Sequence, residues 1–160
     1  MKRSEINRSI REALDFLAEH RFPLPEWATW TPPMWNRHGE ECREIRDNAL
    51  GWDVTDFGKG TFSREGLTLF TIRNGNPARD RKTYCEKIMF VREGQVTPIH
   101  FHWHKMEDII NRGGGDLCMK LWKADQKERM TEAPCTFQVD GITTTLRAGE
   151  ILRLRPGQSI

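Results

Sequence analysis

Gly94-Gln95-Val96-Thr97-Pro98-Ile99-His100-Phe101-His102-Trp103-His104-Lys105-Met106-Glu107 is the stretch on which the reading of this chain turns, and it runs on through Asp108-Ile109-Ile110-Asn111-Arg112 to Gly113-Gly114-Gly115. Three of the chain's five histidines fall in it. Pro98 to His104 reads as a strand, on which successive side chains alternate faces. His100, His102 and His104 then point one way, while Phe101 and Trp103 point the other way and can pack. Two imidazoles two residues apart on one face suit a single divalent ion, because neutral imidazole is a good metal ligand. Glu107 lies just beyond, where the chain can turn back and bring its carboxylate to the same ion. Two histidines and one carboxylate leave positions open for water or substrate. The expected metal ligands are therefore His100, His102 and Glu107. The pair His102 and His104 is the alternative; His104 otherwise reads as a pocket wall, a substrate contact or a packed residue.

Strand signals extend outward from this stretch. Leu67 to Ile72 alternates and is followed by the turn pair Asn74-Gly75. Lys87 to Arg92 reads as a second strand ending at Glu93-Gly94, Pro98 to His104 as a third, Glu107 to Asn111 as a fourth and Asp116 to Trp122 as a fifth. Phe137 to Val139, Asp140-Gly141 and Ile142 to Leu146 read as a hairpin, and Gly149 opens a last pair at Ile151 to Leu154. Short strands separated by glycine turns indicate a mainly β protein, a sandwich or barrel.

The N-terminal part is different. Residues 4–19 carry Ile6, Ile10, Leu14 and Leu17 at helical spacing, with Ser4 as the expected N-cap and His20 at the C-terminal end. Phe22-Pro23-Leu24-Pro25 ends that helix. Residues 22–36 form a Pro/Trp-rich segment holding Trp27, Trp30 and Trp35, expected as an ordered arm over the body or over a partner subunit. A short helix is expected near residues 39–47 and a loop over 48–60.

Bulk properties exclude some classes. The 160 residues carry 25 Lys+Arg against 23 Asp+Glu, a net charge of +2 with the signs mixed, so no nucleic-acid stripe is indicated. No apolar run approaches the roughly 18 residues of a membrane helix, and residues 1–7 lack the apolar core of a signal peptide. Cys42, Cys85, Cys118 and Cys135 have no zinc-finger spacing and read as reduced, mostly packed thiols of a cytoplasmic protein.

The spacing Gly94, five residues, His100, one residue, His102, four residues, Glu107, six residues, Gly114 is that of the first cupin motif. The longer run from His100 to Gly115 resembles the signature of bacterial D-lyxose isomerases, and the likeness extends from the N-terminal helix through the Trp-rich arm to Ile160. The resemblance implies a single cupin domain over 1–160, with a helical and arm segment over 1–60 and a β-barrel or jelly-roll part over 61–160. It implies a Mn2+-dependent isomerase, with Co2+ among the metals that can serve, interconverting D-lyxose with D-xylulose and D-mannose with D-fructose, and a homodimer. Cupins place a fourth, histidine ligand in a second motif, and no histidine follows His104 here. The chain is therefore expected to stop at the threshold of that motif, without the fourth ligand and with strand edges left open.

Moving a proton between C1 and C2 needs a base. Glu107, Glu86 and His104 are the candidates. Lys87 and Lys105 can hold sugar oxygens, and Trp35 can cover the sugar face, with solvated or packing roles as the plain alternatives. A hydride shift stays open. So do two competing classes: a non-haem iron dioxygenase, separable by oxygen consumption, and a non-catalytic sugar-binding cupin, separable by binding without turnover.

Overall fold

The helix expected over 4–19 forms at Arg3–Glu19 (α1) in the computed structural model, which describes residues 1–160. Its start is capped from Lys2, whose N–H donates to the Glu5 carboxylate at 2.6 Å, rather than by Ser4. Glu5 thus satisfies one backbone donor and complements the helix dipole. The buried stripe is Ser9, Ala13 and Leu17, whereas Ile6, Ile10 and Leu14 flank it half-buried. Small residues at the centre let the helix approach its sheet closely, which pure hydrophobicity does not reveal. The helix ends in a Schellman motif: Phe22 N–H bonds Leu17 O at 2.8 Å and Arg21 N–H bonds Ala18 O at 3.0 Å, with Arg21 left-handed at φ 55°.

Two compact units divide the chain, Met1–His100 and Phe101–Ile160. In the first, β1 (Gly51–Thr55), β2 (Leu67–Asn74) and β3 (Cys85–Phe90) form an antiparallel sheet in that order, with α1 against β1 and β2. β1 lies inside the segment expected as loop. Gly51 and Asp53 weaken its local strand signal, and pairing with β2, Trp52 opposite Phe70, supplies what propensity lacks. β3 starts two residues earlier than expected. Its partner β2 changes register between Thr71 and Arg73, the mark of a bulge. Gly75 approaches the backbone of Lys82 so closely that a Cβ would lie 1.8 Å from its carbonyl oxygen.

The Pro/Trp segment is ordered: a 3₁₀ turn at Glu26–Thr29 and a short helix α2 at Pro32–Trp35 are followed by a 3₁₀ turn at Glu40–Cys42 and helix α3 at Arg43–Asp47. It lies on its own unit's sheet. Phe70, fully buried, meets Trp52 and Trp27 at ring-centroid distances of 5.0 and 4.8 Å, and the contacts continue through Trp35 and Trp30 to His38. Trp52 Nε1 donates to Ala28 O at 2.8 Å, giving the half-buried indole its partner. Beside α3, buried Asn48 donates to Asp80 at 3.0 Å and Arg79 bridges Asp47 and Asp80.

In the second unit, β4 (Leu117–Lys120) pairs antiparallel with β7 (Ile151–Leu154), and β5 (Cys135–Val139) pairs with β6 (Ile142–Leu146). The β5–β6 turn has Asp140 and Gly141 both at positive φ, 50° and 80°, the type I′ geometry expected of Asp-Gly. Leu152 and Leu154 are buried. Seven strands against three short or medium helices make the chain mainly β. The four cysteines are free; Cys42 and Cys135 are buried, but Cys85 and Cys118 are exposed and so are not packed thiols. No helix is long and apolar enough to cross a membrane.

Two expected strands do not form. Pro98 to His104 has no strand partner; Pro98 offers no N–H, and alternation alone cannot make a ladder. Glu107 to Asn111 is reduced to a bridge between Ile110 and Ser159.

Two outcomes follow from this packing. Phe70→Ala should cost about 3–5 kcal/mol, measured by denaturant unfolding with tryptophan fluorescence. The Asn76 backbone N–H, then Asn48 and Arg79, hold the Asp80 carboxyl below its ordinary value. A depressed carboxylate stabilises the fold above its unfolded pKa, about 4, and loses that contribution as pH falls through the lower folded value. Asp80→Asn should therefore lower the melting temperature at pH 7 and converge with wild type in thermal scans carried below pH 4.

Candidate metal centre

Pro98 begins the segment that carries the site. Its carbonyl lies 2.8 Å from His100 Nδ1. A carbonyl only accepts, so Nδ1 donates the proton of this hydrogen bond, the arrangement in which Nε2 is the nitrogen that would face a metal. Metal-binding histidines are commonly oriented through their other nitrogen in this way. Farther on, Phe101 and Trp103 meet edge to face at 5.0 Å. Both rings are exposed, so they pack only on each other. The chain then turns back and places Glu107 Oε2 3.1 Å from His102 Nε2.

One donor atom from each of His100, His102 and Glu107 lies within 4.8 Å of the others. The grouping falls within eight consecutive residues and depends on the local path of one segment. For metal–ligand bonds of about 2.0–2.2 Å, neighbouring octahedral ligands stand roughly 3 Å apart. The His102–Glu107 separation matches that edge, and the donor chemistry, two imidazoles and a carboxylate, fits a first-row divalent ion.

Lys105 was expected only as a sugar contact. Its Nζ is 2.5 Å from Glu107 Oε1, on the carboxylate oxygen opposite the one that faces His102. Lys105 and Glu107 remain 46% and 39% exposed, so this ion pair contributes at most about 1 kcal/mol.

The downstream end of the segment is anchored. Ile109 exchanges two backbone hydrogen bonds with Ile160, at 2.8 and 3.0 Å, and Asn111 N–H donates to Gln158 O at 2.9 Å. Buried Asn111 donates through Nδ2 to Gly115 O and Leu154 O and accepts Gly113 N–H, which ties the glycine run to β7. Neither Asn111 nor the Pro98 carbonyl was singled out from sequence. A polar residue set between an isoleucine pair and a glycine run was the available signal for Asn111; nothing in the residue pattern marked the carbonyl.

The other candidates lie elsewhere. His104 is exposed in the same segment but outside the three-donor group. Glu86 and Lys87 are exposed on β3, opposite Arg73 and Thr71. Trp35 is half-buried between Trp30 and Trp27, at 4.9 and 6.4 Å.

Comparison with known proteins agrees with the motif. A sequence model of the D-lyxose isomerase family matches residues 1–160. Proteins named D-lyxose/D-mannose isomerase from Escherichia coli O157:H7 and from Serratia proteamaculans are each 47% identical over 163 residues, covering 100% of this chain and 72% of the relative. Matched over its whole length by the family and by these relatives, the chain belongs to the D-lyxose isomerase family and so to the aldose–ketose isomerases.

Proposed function

We propose that this isomerase is metal-dependent, that His100, His102 and Glu107 hold Mn2+, with Co2+ able to replace it, and that it interconverts D-lyxose with D-xylulose and D-mannose with D-fructose. The observation that carries the reading is the three-donor group with His100 tethered through Nδ1, in a chain that belongs to this family. The relatives' names supply the two sugars. D-Lyxose and D-mannose share their configuration from C2 to C4, so a site that holds O1 to O3 serves both.

Aldose and ketose differ in which of C1 and C2 bears the carbonyl. One proton leaves C2, one arrives at C1, and a hydroxyl proton passes between O2 and O1. A bound divalent ion supplies Lewis-acid polarisation of the carbonyl. The chain's residues do the rest. The Lys105 ammonium, already beside Glu107, donates a hydrogen bond to a sugar oxygen as negative charge builds there. Glu107 is committed on both carboxylate oxygens, which moves the proton-carrying role toward His104 and Glu86. Lys87 and Trp35 remain proposed sugar contacts. On the family resemblance, the frame is a cupin barrel and the working form a cytoplasmic homodimer.

The test is ketose formation from D-lyxose by metal-stripped protein. Activity should return with Mn2+, and His102→Ala should bind Mn2+ at least about 100-fold more weakly and form no ketose at micromolar metal. Oxygen uptake with iron, or sugar binding without turnover, would contradict the reading. Lys105→Met should separate the roles: Mn2+ content stays at the wild-type level, while kcat falls about 100-fold, the scale of losing one charge-stabilising donor.

A further inference from the structure

The last ring of the aromatic series belongs to a second group of donors, far in sequence from the first. His38, Glu41 and Cys42 each offer one ligand atom, all within 4.8 Å of one another. His38 Nδ1 stands 3.3 Å from Glu41 Oε1. That is long for a charge-assisted hydrogen bond, which settles near 2.7–2.9 Å. It matches the edge of a tetrahedron around zinc, about 3.4 Å for Zn–N and Zn–O bonds of roughly 2.0–2.2 Å. Cys42 supplies an independent observation. It is a free cysteine, only 6% exposed, with no disulfide and no role in the isomerase chemistry.

The surroundings hold these side chains in place. The His38 ring lies flat on Trp30, with centroids 3.9 Å apart and planes 6° from parallel. Trp30 is held in turn by Trp35 at 4.9 Å. The Gly39 N–H donates to Glu41 Oε1 at 3.0 Å, orienting the carboxylate as outer partners do in metal sites. The 3₁₀ turn Glu40–Cys42 brings adjacent Glu41 and Cys42 round to His38. Glu41 is 62% exposed, which leaves a path in from solvent.

We propose that His38, Glu41 and Cys42 form a second metal site that takes Zn2+, with three protein ligands and a fourth position left to water. Sulfur is what separates it from the His100 group: a thiolate with an imidazole selects zinc, whereas nitrogen and oxygen donors accept manganese. All three ligands lie between α2 and α3, so a bound ion clamps the Trp arm onto the start of α3. An ion that binds only the folded chain raises its stability.

Cobalt reports the site directly, because a thiolate bound to Co2+ gives charge-transfer absorption in the near ultraviolet and tetrahedral Co2+ gives intense visible bands. Metal-stripped full chain, kept reduced, should develop both as Co2+ is added up to the two equivalents that fill this site and the His100 group, and Zn2+ should bleach them. Cys42→Ser should lose the charge-transfer band, whereas Cys85→Ser, Cys118→Ser and His102→Ala should keep it. The His102→Ala arm makes the result independent of the isomerase site. Glu41→Gln changes an exposed side chain and leaves the Cys42 packing intact; it should weaken Co2+ binding tenfold or more. The absence of a charge-transfer band in wild type, its survival in Cys42→Ser, or unchanged affinity in Glu41→Gln would each overturn the site.

Discussion

A carbonyl oxygen can only accept a hydrogen bond, and the Pro98 carbonyl sits 2.8 Å from His100 Nδ1. That one contact makes Nδ1 the donor and selects Nε2 as the nitrogen that would face a metal. Without it either neutral tautomer is open to the ring, and either nitrogen could face an ion. The residues that follow complete the donor group: Phe101 and Trp103 contact each other, and Glu107 returns beside His102. The three-donor group is thus assembled within a single irregular segment.

The segment has ordered residues on each side, each within its own unit. Upstream, Gly94 at φ 70° follows β3 in a turn closed by Gln95 N–H on Arg92 O at 3.0 Å. Downstream, the Ile109–Ile160 pair and the side chain of Asn111 hold the exit. Buried polar groups are costly when unsatisfied, and Asn111 meets its requirement only when the glycine run and β7 are both in position. The ligand loop is therefore tied to the second unit's sheet by hydrogen bonds more than by apolar burial. The opposite holds in the first unit, where Phe70 and the tryptophans dominate.

What could be read in advance divides along the same line. The Asp140-Gly141 hairpin and Ile151–Leu154 were legible because turn chemistry and period-two alternation are local. So were α1 and its stop before Pro23. Pro98–His104 was not a strand, because a strand needs a neighbour and no residue pattern supplies one. β1 was hidden by Gly51 and Asp53, whose weak local preference is overridden by pairing with β2. In the site, the grouping of His100, His102 and Glu107 was legible from spacing. The Lys105–Glu107 pair and the Pro98 tether depend on the path of a loop and left no such trace. His38, Glu41 and Cys42 escaped notice because three different donor types at irregular spacing match no repeated pattern.

The central claim is that His100 and His102 bind the metal through ring nitrogen, with Glu107 beside them. Electron–nuclear double resonance on Mn2+-loaded protein carrying 15N-histidine tests it most directly. Two directly coordinated histidine nitrogens are expected in the full chain, with one lost in His100→Ala and one lost in His102→Ala. Mn2+ that shows no histidine coupling, or coupling unchanged in either variant, would contradict the assignment.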